Sequence, residues 1–158
     1  NALAGQHGVG RIDHIENRLV GIKSREVYES PAATVLHAAH KALETMTISK
    51  NQARLKQLVS QEYSDVVYNG LWFTAHRRDL TAYIDSTQRH VTGSVRIRLH
   101  KGNCTVVGRR ALKGLYTHQL ATYDSGDMFD HRASEGFIAI YGLPVRTQTK
   151  EQGGIEEG

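Results

Sequence analysis

Apolar and polar positions along the chain change rhythm three times. In the first stretch, 9–29, Ile12 and Ile15 are irregularly spaced, while residues 19–22 are apolar and β-favouring. With Glu16-Asn17-Arg18 as the turn, the two segments predict a β-hairpin. The second rhythm is helical. Ser30-Pro31 sets an N-cap serine before a proline at the first helical position. Val35, Leu36, Ala39 and Leu43 follow at helical spacing, so a helix is predicted near 31–45. Ser49 is a second N-cap candidate, and Leu55, Leu58, Val59, Tyr63, Val66 and Val67 keep one face as far as Gly70, a C-terminal stop. Leu80, Tyr83, Ile84 and Thr87 mark a third helix near 77–90.

The third rhythm has period two. Val95, Ile97 and Leu99 point one way, and Arg96, Arg98 and His100 the other. Lys101-Gly102-Asn103 is the turn and 104–108 the returning strand. Phe129, Ala133, Phe137 and Ile140 then predict a helix over 129–142, which Gly142-Leu143-Pro144 stops or kinks. The tail, with Gly153, Gly154, Gly158, Glu151, Glu156 and Glu157, reads as mobile or as ordered against another subunit. The order strands, helices, strands predicts an α+β fold: an antiparallel or mixed sheet with helices packed on it, ending in a helical arm for oligomerisation. Residues 1–145 form the domain and 146–158 the tail.

A length of 158 residues suits one such domain. No stretch approaches the ~18 consecutive apolar residues of a membrane-spanning helix. One cysteine, Cys104, excludes a disulfide framework, suits a reducing compartment and reads as a buried structural thiol. The chain begins with Asn1 and no signal peptide follows, so it reads as cut from something longer, or processed.

Charge changes the picture more. The net charge is +4, yet no acidic residue lies between Asp85 and Asp124, where Arg89, Arg96, Arg98, Lys101, Arg109, Arg110 and Lys113 fall. Such a stripe could face phosphate, nucleic acid or an acidic partner. With no aromatic platform among the charges, a solvated sheet face is the simpler reading. Gly8-Val9-Gly10 lacks the third glycine of a dinucleotide fingerprint, since position 13 is Asp13, and reads as a turn. His37 and His40 share a helix face, but no companion ligand stands at suggestive spacing, so packing or surface roles are expected and no metal site.

The densest polar cluster is Asp13, Glu16, Arg18, Lys23, Arg25, Glu26, Tyr28 and Glu29, on the first hairpin. It could bind a zwitterionic amino acid, carboxylate to ammonium and guanidinium to carboxylate. It could equally be a surface ladder of ion pairs. The residues alone leave both open.

At these residues the chain resembles a known family. Residues 8–31, Gly-Val-Gly-Arg-Ile-Asp-His-Ile-Glu-Asn-Arg-Leu-Val-Gly-Ile-Lys-Ser-Arg-Glu-Val-Tyr-Glu-Ser-Pro, are similar to the core segment of the argininosuccinate synthases. The resemblance continues through Glu62-Tyr63-Ser64-Asp65-Val66-Val67-Tyr68-Asn69-Gly70-Leu71-Trp72-Phe73, Thr87-Gln88-Arg89-His90-Val91-Thr92-Gly93, Lys101-Gly102 and Val107-Gly108-Arg109-Arg110. Leu120-Ala-Thr-Tyr-Asp124 and Glu135-Gly136-Phe137-Ile138 complete it, in order, over about 5–145.

The resemblance implies a ligase of arginine biosynthesis, cytoplasmic and homotetrameric. It joins citrulline to aspartate with ATP and Mg2+, releasing AMP and pyrophosphate. It also implies that Glu16 and Tyr28 contact citrulline, with Lys23 and Arg25 as support. The family's Ser-Gly-Gly-Leu-Asp-Thr nucleotide loop does not occur, so the chain corresponds to the C-terminal synthetase and multimerisation portion. ATP and aspartate would then be held by the N-terminal nucleotide-binding domain, absent here. No contact with nucleic acid or membrane is expected. Two other readings stay open: a basic nucleic-acid-binding α+β module on the 86–123 stripe, and an oligomerisation domain with no catalytic role. The lack of stacking aromatics argues against the first, and the presence of both Glu16 and Tyr28 against the second.

Overall fold

The structure, a computed structural model, describes residues 1–121 and 130–153, without the side chains of 119 and 121. It divides into two compact units, Asn1–Tyr116 and Thr117–Gly158. The first unit runs α1 (Ala2–Gln6), β1 (Arg11–Asn17), β2 (Lys23–Glu29), α2 (Pro31–Thr47), α3 (Lys50–Tyr68), α4 (Ala75–Gln88), β3 (Gly93–His100) and β4 (Asn103–Ala111). The class is α+β, as expected. Among the described residues, the strands form two separate antiparallel pairs, β1–β2 and β3–β4, instead of one sheet under all the helices.

The period-two stretch folds as its pattern dictates. Val95, Ile97 and Leu99 are half-buried, Arg96, Arg98 and His100 are exposed, and α2 packs on this ribbon. Pairing shifts between Arg96, opposite Gly108, and Ile97, opposite Val106, so Val107 is an extra residue and the strand bulges there. Two further bonds fix the ribbon to the end of α2: Leu115 donates its amide to the Met46 carbonyl at 2.6 Å, and Arg109 donates to Thr45 Oγ1 at 3.2 Å.

α2 and α3 begin where capping chemistry places them, with one substitution of partner. Ser49 accepts from the Gln52 amide while the Gln52 side chain accepts from the Ser49 amide, a reciprocal capping box opening α3. Ser30 occupies the N-cap of α2 ahead of Pro31, but its hydroxyl makes no cap bond. The free Ala32 amide instead donates to the Asn1 side chain at 2.9 Å, a cap supplied from 31 positions away. α1 itself, five residues long, has no pattern strong enough to announce it.

Glu44 is buried on α2 and receives Lys56 Nζ of α3 at 3.0 Å and Gln88 Nε2 of α4 at 2.9 Å. One carboxylate thus joins three helices, and its burial is offset by both a cation and an amide donor. His40 completes the group, its Nε2 bonded to Gln88 Oε1 at 2.8 Å. His37 is exposed, and Cys104 is a half-buried free thiol.

The turn of the first hairpin differs from expectation. Asn17 is still paired, opposite Lys23, and the reversal occupies residues 18–22. Leu19, Val20 and Ile22 are exposed at the tip rather than paired in a strand. Gly21, at φ +83°, takes the left-handed step that β-branched neighbours disfavour, and Arg18 closes the loop by bonding Ile22 and Gly21.

The second unit holds α5 (His118–Ala121), α6 (Ala133–Tyr141) and α7 (Leu143–Gln152). The predicted helix over 129–142 is seen from Ala133; Phe129 lies outside the described residues. Pro144 sits in the first turn of α7, so the Gly142-Leu143-Pro144 break separates two helices. Residues 146–152, the start of the expected tail, continue α7, while 154–158 lie outside the description. Among the described residues, no helix is long and apolar enough to cross a membrane.

Gly10 joins the hairpin to α2. It stands at φ +89°, its carbonyl accepts from Ser30 N at 2.8 Å, and a Cβ there would lie 2.5 Å from the Pro31 backbone. Gly70 is also left-handed, at φ +71°, but a Cβ added there would meet nothing within 4 Å. Gly10→Ala should therefore cost about 2–4 kcal/mol, strain plus overlap, and Gly70→Ala about 1–2 kcal/mol, strain alone. Urea unfolding of the two variants checks this; equal losses would mean that the Pro31 contact relaxes freely.

Candidate functional site

The β1–β2 register divides the polar cluster between two faces. Arg11, Asp13, Ile15 and Asn17 stand opposite Glu29, Val27, Arg25 and Lys23 on one side. Ile12, His14 and Glu16 stand opposite Tyr28, Glu26 and Ser24 on the other. The first face is an ion-pair ladder. Arg25 grips Asp13 through two bonds of 2.8 and 2.5 Å, and Arg11 lies 3.5 Å from Glu29. The Arg25 guanidinium holds the Asp13 carboxyl below its ordinary pKa. These groups are mostly solvated, so each pair contributes little. Lys23 and Arg25, expected to support Glu16 and Tyr28, belong to this opposite face.

The second face converges on one carboxylate. Tyr28 donates its hydroxyl to Glu16 Oε2 at 2.9 Å, reaching diagonally across the ribbon. His14 Nε2 lies 3.2 Å from the same oxygen, with its ring edge-on to Tyr28 at 5.5 Å between centroids. Glu16 Oε1 has longer neighbours: the Tyr68 hydroxyl at 3.5 Å and Arg18 Nη1 at 3.7 Å. Arg18 is itself anchored on Glu26. The Glu16 side chain keeps only 16% of its exposure.

The electrostatics follow from these contacts. The Tyr28 hydrogen bond and then that of His14 hold the Glu16 carboxyl below its usual value; burial opposes them, and the charge of Arg18 adds a smaller lowering. The same bond pushes the Tyr28 phenol up, because ionising it would put a second negative charge beside Glu16. The result is an ionised carboxylate with Oε2 closely held and Oε1 bearing only longer contacts. Such a group suits an ammonium donor, and the phenols beside it supply neutral hydrogen-bonding atoms.

Glu16 and Tyr28, the two residues singled out in the sequence, are therefore directly bonded. His14 and Tyr68 escaped sequence reasoning. His14 shares the i, i+2 face of Glu16, a signal present in the strand alternation. Tyr68 reaches the site from α3, 52 residues on, and only its place just before a helix-ending Gly70 hinted at a fixed position. Gly8-Val9-Gly10 is a turn, as read, and Gly10 packs against Pro31 where a phosphate-binding backbone would have to be open.

Comparison with known proteins gives this face its context. Residues 1–148 match the family described as arginosuccinate synthase C-terminal domain. The chain is 59% identical over 155 residues to the argininosuccinate synthase of Dehalococcoides mccartyi (strain 195), covering 98% of this chain and 38% of that protein. It is 54% identical over 155 residues to that of Brevibacillus brevis, covering 98% of this chain and 37% of the relative. With that of Synechococcus sp. (strain JA-3-3Ab) it shares 59% over 147 residues, 93% of this chain and 36% of the relative. The chain thus spans under two fifths of the length of these relatives. A match from residue 1 to 148 at this identity leaves one conclusion: the chain belongs to the argininosuccinate synthase C-terminal domain family.

Proposed function

We propose that this chain is the citrulline-binding and assembly portion of an argininosuccinate synthase, a cytoplasmic ligase of arginine biosynthesis. The observation that carries the reading is the bond between Tyr28 and Glu16 on a face separate from the ion-pair ladder. In the reaction, the citrulline ureido oxygen attacks the α-phosphorus of Mg-ATP and expels pyrophosphate. The aspartate amine then attacks the activated carbon and expels AMP. Nucleotide and aspartate are held by the N-terminal portion that the relatives possess beyond this match. This chain's residues bind and orient: Glu16 receives the citrulline ammonium, and Tyr28 keeps the carboxylate turned toward it. Neither group moves a proton in the chemical step, so their contribution is to position citrulline.

The assembly half of the reading rests on apolar surface. Among the described residues the buried apolar side chains are Ala4, Val9, Ala42 and Val66, a small core for so many helices. On α6, Phe137, Ile138, Ile140 and Tyr141 are all exposed, with Phe137 and Tyr141 stacked at 5.1 Å. A short helix of that composition gains its stability from burial against a partner, here another subunit of a homotetramer. The basic face of β3–β4 serves such protein contacts rather than nucleic acid, since Arg96 and Arg98 have no aromatic platform between them.

Three outcomes are expected. In steady-state kinetics of the complete synthase, Glu16→Gln should raise the KM for citrulline about ten- to a hundredfold and Tyr28→Phe about two- to tenfold, with the KM for ATP little changed. An unchanged citrulline KM for Glu16→Gln would reduce the residue to a structural role. Second, because folding depresses the Glu16 pKa, its contribution to stability is present above the unfolded value and is lost as pH falls through the folded one. The melting difference between wild type and Glu16→Gln should hold from about pH 8 to about pH 6 and shrink below the usual carboxylate range; a difference that grows on acidification would contradict the sign. Third, Phe137→Ser with Ile140→Ser should lower the mass of the assembly by light scattering, whereas an unchanged mass would place that face outside the interface.

A further inference from the structure

Glu16 is held unequally at its two oxygens. Oε2 accepts from Tyr28 at 2.9 Å and meets His14 at 3.2 Å, which leaves it little capacity for a ligand. Oε1 has only the Tyr68 hydroxyl at 3.5 Å and Arg18 at 3.7 Å. Arg18 is drawn aside by its ion pair with Glu26, so the Tyr68 phenol is the nearer of the two groups at that oxygen. A phenol at that place can donate to the carboxylate.

The position of Tyr68 is fixed by the end of α3. Just before it, Val66 is buried, and just after it the chain turns at Gly70, with Leu71 N bonded to Val66 O at 2.9 Å and Gly70 N to Val67 O at 3.1 Å. The ring therefore approaches Glu16 from an element other than the hairpin. This matters because the terminal torsion of a glutamate is broad, and two donors on Oε2 alone leave the direction of Oε1 loosely set.

We propose that Tyr68 is a positioning residue that aims Glu16 Oε1 at the ammonium group of the amino-acid substrate. The inference rests on the reading of Glu16 as the citrulline carboxylate, and deepens it: one phenol from the hairpin and one from α3 hold the two oxygens, and the more loosely held oxygen is the receiving one. Tyr68 acts through Glu16 rather than on the substrate.

The test is steady-state kinetics on the complete synthase with Tyr68→Phe, Tyr68→Leu, Glu16→Gln and the Tyr68→Phe/Glu16→Gln pair. Tyr68→Phe keeps the ring and should raise the citrulline KM about three- to tenfold. The kcat, the KM values for ATP and aspartate and the melting temperature should stay near wild type. In the Glu16→Gln background the same change should add nothing, because the residue it acts through is already altered. If Tyr68→Phe matches wild type while Glu16→Gln raises the citrulline KM, or only Tyr68→Leu is impaired, the ring merely packs and the inference falls while the site stands. Multiplicative losses in the double variant would make Tyr68 an independent contact and also overturn it. If Glu16→Gln itself leaves citrulline kinetics unchanged, the reading of the site fails first.

Discussion

A carboxylate at the surface of a two-stranded ribbon ought to be one solvated charge among many. Glu16 is not, because groups from three parts of the chain close on it: His14 and Tyr28 from the ribbon, Arg18 from its loop, and Tyr68 from the end of α3. An isolated hairpin is marginally stable in water. This one is tied at its base by the Gly10–Pro31 approach, and Tyr68 of α3 comes within 3.5 Å of Glu16 on its face. The proposed function depends on the contacts at Glu16 itself, since Tyr28, His14 and Arg18 hold the carboxylate in its ionised form and Oε1 has only the longer Tyr68 and Arg18 contacts.

The division of the hairpin into two faces bears on a question that composition leaves open. The polar cluster reads either as an ion-pair ladder or as a site for a zwitterion; the ladder describes one face, and the proposed site falls on the other. Asp13, Arg25, Arg11 and Glu29 form the ladder, and Glu16, Tyr28, His14 and Arg18 converge. Residue spacing contains this division, because a strand places i and i+2 together. Reading it requires the register, and the register depends on the turn. The apolar run 19–22 draws the turn toward Glu16-Asn17-Arg18, whereas the chain reverses at 18–22 and leaves those apolar side chains at the tip.

Local signals were legible elsewhere for the same physical reason that long-range ones were not. The β3 alternation, the Ser49 capping box and the Gly70 stop involve neighbours within a few residues, and each appears where the pattern put it. The Asn1 cap on Ala32, the Glu44–Lys56–Gln88 junction and the Tyr68–Glu16 contact join residues that tertiary packing alone brings together. The roles proposed for Glu16 and Tyr28 rest on family resemblance. The structure adds that the two are bonded to each other, and adds partners that resemblance did not name.

Exposed apolar surface sets the scale on which the chain works. Leu19, Val20 and Ile22 at the hairpin tip and Phe137, Ile138 and Ile140 on α6 are open to solvent, while among the described residues the buried apolar side chains are only those of Ala4, Val9, Ala42 and Val66. Such surface suits a portion that completes its burial within a larger assembly. The most direct measurement is a crystal structure of the complete synthase with citrulline bound. The citrulline ammonium nitrogen is expected within hydrogen-bonding distance of Glu16 Oε1, with Tyr28 still donating to Oε2. Citrulline bound with its ammonium on other groups, and Glu16 still closed by the two tyrosines alone, would contradict the proposed role.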